Sequence, residues 1–467
     1  MKLNIYLKLC FVFMTCLQLM SCEDFVEVDA PNNKLIRDDV FRSEGTAISA
    51  MTGIYNELYQ SAFSSGSRTS ITVLSGLSAD NIRNINSTNL ERMEFQEHEI
   101  KPANLSNLEI WNSAYNMIYM TNSFLEGLEN SENISVELQQ QLEGEVRFVR
   151  AFTYFYLVNL YNDIPLILTT DYRDNSLASR SPITDVYDQI MQDLQFSSEV
   201  LNTVYRNGER NSVNKFAAKA LLSKVYLYQE KWQLAENLST EVINETSSYE
   251  ILENLNDVFL ANSREAIWQI SPIGGGGIVT NTNEGNLFII DPFVSFFASF
   301  QLEDEFVNQF EDEDKRLTNW IGFNTSKNAY FIHKYKIRNS NQFPILEYSM
   351  VLRLAELYLI RSEARTEQEK ISEAISDLDI IRTRSGLEPL AIEDPNIGKA
   401  DLLDRIFIQR RKELFAEWGN RWFDLKRSHR VQEAFENQPL WETTDVYYPI
   451  PSEELSKNPN LIQNDGY

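Results

Sequence analysis

The sequence predicts a mainly α protein: an irregular array of helix pairs, with long loop-rich insertions that form the ligand face. Three observations predict it. Apolar residues recur at helical spacing through most of the chain. Small residues stand where two consecutive helices would cross. Two stretches, Thr69–Glu99 and Trp268–Pro344, lack that spacing, and the second is rich in Asn, Phe and Tyr.

The helices follow in order. Glu44–Tyr59 aligns Ala47, Ala50, Met51, Ile54 and Leu58, and Trp111–Leu128 aligns Trp111, Tyr115, Ile118, Asn122 and Leu125. Leu138–Leu160 is strongly apolar on one side and stops at Asp163-Ile164-Pro165, because proline cannot continue the ladder. Ser181-Pro182 opens a helix over Val186–Leu201. Asn214–Ile243 is a helix–turn–helix: Ala217, Ala218 and Ala220 lead to Tyr226 and Tyr228, and Ala235, Leu238 and Val242 follow the turn. Met350–Arg365 and Ile371–Arg384 form a second pair, stopped at Ser385-Gly386, and Asp401–Glu417 is a last helix before Gly419. This alanine, aromatic and turn pattern resembles tetratricopeptide repeats. Its period is uneven, so the expected architecture is an irregular tetratricopeptide-like helical repeat array. Phe331–Ile337 alternates weakly and reads as a strand.

Composition narrows the function classes. The 467 residues include 42 Lys and Arg against 68 Asp and Glu, a formal charge of −26. A nucleic-acid partner needs clustered cations, so none is expected. Aromatic residues make up 12% of the chain, enough for a large core and for a binding surface. The three histidines, His98, His333 and His429, lie far apart, and no zinc-binding spacing occurs. No metal and no cofactor is expected. Glu311-Asp312-Glu313-Asp314 lacks the spacing of a calcium loop and reads as a solvated acidic turn. Gly274–Gly277 lacks the ending of a phosphate loop and reads as a surface loop.

All three cysteines fall within the first 22 residues. Lys2 and Lys8 precede an apolar run, Leu9–Met20, which is too short to cross a bilayer and suits a signal peptide. Leu19-Met20-Ser21-Cys22 resembles a bacterial lipobox, with Cys22 as the residue to be acylated. Several acyl chains, at ~0.8 kcal/mol per buried methylene, would hold the protein to a membrane. Glu23-Asp24 resembles the acidic surface-export tag of Bacteroidetes lipoproteins. The chain also ends on a motif, so its last residues are expected to belong to the fold.

The most specific motifs lie near the C-terminus. Arg353, Glu356, Leu359, Arg361, Glu363 and Ala364 space as R-x-x-E-x-x-L-x-R-x-E-A, and Leu378, Ile381, Arg382, Arg384, Gly386 and Leu387 follow. Arg410, Arg411, Glu413, Leu414, Glu417, Gly419, Arg421, Trp422, Asp424, Leu425 and Arg427 form the next block. Pro449-Ile450-Pro451 through Asn464 and Gly466-Tyr467 form the last. In this order the blocks resemble the SusD/RagB family of outer-membrane nutrient-binding lipoproteins. Asp379, Ser385 and Asn162 stand where that family more often has asparagine, alanine and glycine. Chemically these residues read as framework: Arg410 and Glu413 share a helix face, and Asp424 pairs with Arg427 across the next turn.

The resemblance implies a division into 1–21, a lipoprotein signal peptide; 22–40, a lipid-anchored tether; and 41–467, one SusD-like domain with halves at about 41–260 and 261–467. It also implies a cell-surface, outer-membrane protein that is not an enzyme. Such a protein captures oligosaccharides, or peptides in some members, and delivers them to a SusC-like TonB-dependent transporter. Sugar sites stack rings on exposed aromatic faces and use Arg, Asn and Asp for hydroxyls. The two irregular stretches supply the candidates: Arg83, Asn84 and Asn86 in the first, Trp320, Phe323 and Tyr330 in the second, with Trp320 the foremost stacking residue. A surface glycoside hydrolase is the alternative from another class, and it requires two carboxylates flanking a cleft. With 68 acids, counting carboxylates discriminates nothing. A scaffold that binds only protein is a third reading.

Overall fold

The computed structural model describes residues 40–272, 279–292 and 298–467. The leader, most of the tether, Cys22 and Gly274–Gly277 lie outside the described residues. Helices dominate, and side chains mark many of their starts. Helix α1 (Glu44–Gln60) begins where Ser43 Oγ accepts the Thr46 amide. Two short helices follow, α2 (Ile71–Leu77) and α3 (Leu90–Gln96), inside a stretch expected to be irregular. Helix α2 hides from periodicity because it is buried all round, and α3 because it is only seven residues long. Helix α4 (Leu105–Glu129) is capped by Asn104, and α5 (Val136–Tyr161) ends at Asn162 with φ 64°, just before Asp163-Ile164-Pro165. Pro182 precedes α6 (Ile183–Val200).

The helix pairs are α7 (Lys215–Tyr228) with α8 (Trp232–Ile243), and α11 (Leu354–Glu367) with α12 (Ile371–Arg384). Both crossings use the same chemistry. Ser223 Oγ donates to the Ala235 carbonyl at 2.9 Å, and Ser362 Oγ donates to the Ala374 carbonyl at 2.7 Å. Fully buried Ala220, Ala235, Ala364 and Ala374 leave room for these contacts. Between the pairs lie α9 (Asn283–Phe288) and α10 (Lys315–Trp320), and after them α13 (Lys399–Leu414) and α14 (Asn420–Arg427).

Three antiparallel strand pairs sit on this frame: β1 (Ile82–Asn84) with β3 (Phe300–Leu302), β2 (Ala266–Ile270) with β6 (Ser349–Arg353), and the hairpin β4 (Ile321–Asn324) with β5 (Ala329–Ile332). The expected helix from Met350 is corrected here: Met350–Arg353 extend as β6, and the helix starts at Leu354. Those residues are buried, where β2 supplies backbone partners that a helix would not need. The expected strand Phe331–Ile337 is shorter, ending at Ile332.

Seven of the charged family-like residues, Arg353, Arg384, Arg410, Glu413, Glu417, Asp424 and Arg427, build a buried ionic frame. Arg353 bonds Glu265 at 3.0 Å, Glu417 at 2.8 Å and Glu413 at 2.5 Å. Arg384 reaches Glu265 at 3.1 Å and Glu413 at 2.5 Å, and Lys334 reaches Glu417 at 2.5 Å. Burial alone would raise the Glu413 carboxyl; Arg384 and Arg353 outweigh it and hold the group well below the usual carboxylate range. Asp424 pairs with both Arg410 and Arg427 at 2.8 Å, as the spacing predicts for Arg427. Removing one partner from such a network leaves an uncompensated buried charge, which costs about 3–5 kcal/mol.

The last residues are bound into the fold. Asn464 Nδ2 donates to the Tyr161 and Tyr448 carbonyls at 3.0 and 2.8 Å, and Asn458 Nδ2 donates to the Ala178 carbonyl at 2.7 Å.

Candidate functional site

Strand β1 carries Ile82-Arg83-Asn84, and its pairing sets Arg83 opposite Gln301. Beside it opens a groove of about 780 Å³. Arg83 and Ile82 form one wall, Glu303, Asp304 and Glu305 the next, and Gln438, Pro439 and Leu440 the last. Arg83 Nε lies 3.7 Å from Glu303, and both side chains remain partly open to solvent. Burial raises the Glu303 carboxyl; Arg83 opposes that, while Glu305 and Asp304 add to it.

Asp80, also at this groove, is occupied. Arg421 grips both of its oxygens at 2.7 Å, and Arg411 approaches to 3.0 Å. Burial works to raise its pKa, but the two guanidinium groups prevail and it falls below the ordinary value.

The wall at 438–440 is anchored by an aromatic stack. Trp441 meets the His98 ring at 4.9 Å and Phe435 at 5.3 Å, and His98 lies 4.5 Å from Phe435. His98 is buried, which pushes its imidazole down to about 4. It is therefore neutral near pH 7 and packs as one more ring.

Strand β3 runs beside β5, so the hairpin β4–β5 adjoins the strands that carry Arg83. Phe323 and Tyr330 are cross-strand partners, with centroids 4.9 Å apart. The Phe323 ring is 47% exposed, so a face of this pair is open to solvent. The opposite side of the hairpin is closed by Phe331 lying over Gly322. A Cβ at Gly322 would sit 2.2 Å from that ring, so only glycine permits the contact. The ring over Gly322 braces the hairpin from behind while Phe323 is presented in front.

The six candidates thus separate. Arg83 lines the groove, and Phe323 and Tyr330 form the open ring pair. Asn86 is exposed, but its side-chain Oδ1 accepts from Thr88 Oγ1 at 2.7 Å. Asn84 is turned inward: its Nδ2 donates to the Asn86 carbonyl at 2.9 Å, and its backbone amide donates to Gln96 at 2.7 Å. These contacts shape the turn and leave Asn84 little to offer a ligand.

Trp320 is the clear correction. Its side chain is 0% exposed, and Nε1 donates to the Leu255 carbonyl at 3.0 Å. Phe259 lies edge-on at 5.7 Å, and the Lys334 ammonium sits 4.8 Å from the ring. No face remains for a sugar. The reason is local: Trp320 follows Arg316 by four residues on α10, and Arg316 is itself fully buried. Asp314 corrects the acidic-turn reading too. It caps α10, is 0% exposed, and binds Arg316 at 2.7 Å. Among the described residues no cluster of His, Cys, Asp and Glu is arranged to hold a metal.

Sequence reasoning missed Glu303 and Leu440. Glu303 is one of many acids, and Leu440 comes from a third segment that only the fold brings to Arg83.

Two family models match this chain. One, a SusD-like model described as starch-binding and associating with the outer membrane, matches residues 24–227. The other, described as SusD family, matches residues 330–440. The chain belongs to the SusD family. A SusD-like protein from Formosa agariphila is 24% identical to it, over 100% of this chain and 99% of that protein. Solved structures agree on the fold of this SusD-family protein. A SusD superfamily protein from Bacteroides vulgatus has a TM-score of 0.80 at 21% identity, covering 91% of this chain and 100% of that one. A laminarin-binding SusD-like protein has a TM-score of 0.75 at 22% identity, again covering 91% and 100%. The expected family and the mainly α repeat architecture are both borne out. No described helix is long and apolar enough to cross a membrane.

Proposed function

We propose that this SusD-family protein captures oligosaccharides at the cell surface and hands them, unmodified, to a SusC-like TonB-dependent transporter. A lipid on Cys22 holds it at the outer membrane. The open Phe323–Tyr330 pair on strands neighbouring the Arg83 groove carries the reading. A pyranose presents an apolar face to a ring and hydroxyls to its rim, and this region offers both complements. The family's starch-binding description and the laminarin-binding neighbour support the ligand class.

Hydrolysis has weaker support. A glycosidase needs two available carboxylates across the scissile bond. Asp80 is clamped by two arginines; other acids line the groove, but the matching family model and the laminarin-binding neighbour are described by binding, which favours capture.

The test is calorimetric titration of residues 23–467 with starch-, laminarin- and xylan-derived oligosaccharides, with a peptide digest alongside. Binding of a saccharide that is recovered intact supports capture. Shortened products would replace capture with hydrolysis. Heat from peptides and silence from every sugar would move the protein to peptide uptake.

A further inference from the structure

We infer that the Arg83 groove selects uncharged saccharides and turns away sulfated and uronic ones; this rests on reading the groove as the sugar site. A polyanionic glycan needs cations with charge to spare. The guanidinium groups around this groove have little. Arg83 faces Glu303 at 3.7 Å, and Arg411 and Arg421 share the one carboxylate of Asp80, at 3.0 and 2.7 Å, which leaves that trio a single positive charge to set against the rim acids.

The remaining lining charges have the opposite sign. Glu97, Asp304 and Glu305 are exposed at the rim, and no ion pair engages them among the described residues. The raised pKa of Glu303 reports burial first, and then the same crowding, since Glu305 and Asp304 both contribute to it. A sulfate or carboxylate entering the groove would lie within a Debye length, about 8 Å at physiological salt, of several unneutralised carboxylates. An uncharged sugar meets no such barrier. Gln96 and Gln438 offer it amide groups, and Leu440, 47% exposed, offers an apolar contact.

Among the described residues around the groove, five carboxylates, Asp80, Glu97, Glu303, Asp304 and Glu305, outnumber the three guanidinium groups of Arg83, Arg411 and Arg421, and that excess sets the sign.

The experiment uses one backbone with and without charge. Residues 23–467 are titrated with the tightest-binding neutral oligosaccharide from the panel and with its chemically sulfated derivative, at about 20 mM and about 500 mM NaCl. The expected result is at least tenfold weaker binding of the sulfated form at low salt, with the gap narrowing at high salt as screening shortens the repulsion. The triple variant Glu97→Gln, Asp304→Asn, Glu305→Gln should narrow the ratio of the two affinities at low salt. Its circular dichroism and unfolding midpoint establish that it is folded. Equal or tighter binding of the sulfated form would overturn the inference while leaving sugar capture intact. An unchanged ratio in the folded triple variant would also overturn it. Failure of every saccharide to bind would instead remove the reading of the groove as a sugar site, and the inference with it.

Discussion

Replacing Trp320 with alanine should cost this protein stability far more than ligand binding, and replacing Phe323 should weaken ligand binding at a much smaller cost in stability. The two rings are only three residues apart, yet their surroundings differ. Trp320 is fully buried among Phe259, Phe415 and the Lys334 ammonium. Truncating a buried tryptophan costs about 3–5 kcal/mol in cavity and transfer terms. Loss of its 3.0 Å bond to the Leu255 carbonyl adds ~1 kcal/mol. Phe323, about half exposed, gives up ~1 kcal/mol of burial and ~1 kcal/mol of contact with Tyr330. Urea unfolding followed by circular dichroism measures both. Trp320→Ala should lower the midpoint sharply, and Trp320→Phe provides a milder variant if the alanine form does not accumulate. Phe323→Ala should shift the midpoint no more than about half as far and weaken oligosaccharide binding about tenfold, ~1.4 kcal/mol. A wild-type midpoint in Trp320→Ala would refute the burial argument. Undiminished affinity in Phe323→Ala would refute the stacking platform.

Two further outcomes follow from the buried charges. Glu413→Gln removes the negative partner of Arg353, Arg384 and Arg316, and should cost about 3–5 kcal/mol of unfolding free energy; a loss below 1 kcal/mol would mean the network relaxes or hydrates. His98 sets an acid limb on stability. Its imidazole titrates at about 4 in the fold and near 6.5 when unfolded, so the unfolded chain binds the extra proton between those values. Stability is therefore unaffected above about pH 6.5 and falls toward pH 4 by up to ~3 kcal/mol. His98→Phe should flatten that fall only in part, because His333 is also pushed down to about 4. Identical pH profiles for wild type and His98→Phe, measured by urea titration from pH 4 to 8, would dismiss the effect.

The helical frame was legible because each helix buries one stripe, and a stripe is a pattern in sequence. Ala217–Tyr228 and Met350–Arg365 showed it even though the latter begins as a strand. Helix α2 did not, since burial on all sides erases the period. The site was less legible for a related reason. Arg83 and the Phe323–Tyr330 pair were recognisable as residue types in irregular stretches. Whether a ring faces solvent depends on which neighbours cross over it. Trp320 and Phe323 carry similar chemistry, and only the packing of Phe259, Phe415 and Lys334 around Trp320 tells them apart. The spacing Arg316-x-x-x-Trp320 held a hint, because it joins Trp320 to Arg316 on one helix face, and Arg316 sits in the ionic frame.

The frame and the site divide the charge of the chain between them. Inside, Arg353, Arg384, Arg316 and Arg410 are matched to Glu265, Glu413, Asp314 and Asp424, so these four guanidinium groups place no free cation on the surface. With a formal charge of −26 overall, the acids left over must face solvent. A groove cut into such a surface is negative unless specific cations are placed in it, and Arg83, the one lining cation among the described residues, already has Glu303 beside it. Ligand charge is then decided by very few positions. The frame links segments from Glu265 to Asp424, whereas Glu97, Asp304 and Glu305 take part in none of its ion pairs among the described residues. Reversing those rim charges would change what the groove accepts at little cost to stability, since exposed charges contribute only about 0–1 kcal/mol each. A single helical frame is thereby free to serve glycans of different charge through substitutions at its loops.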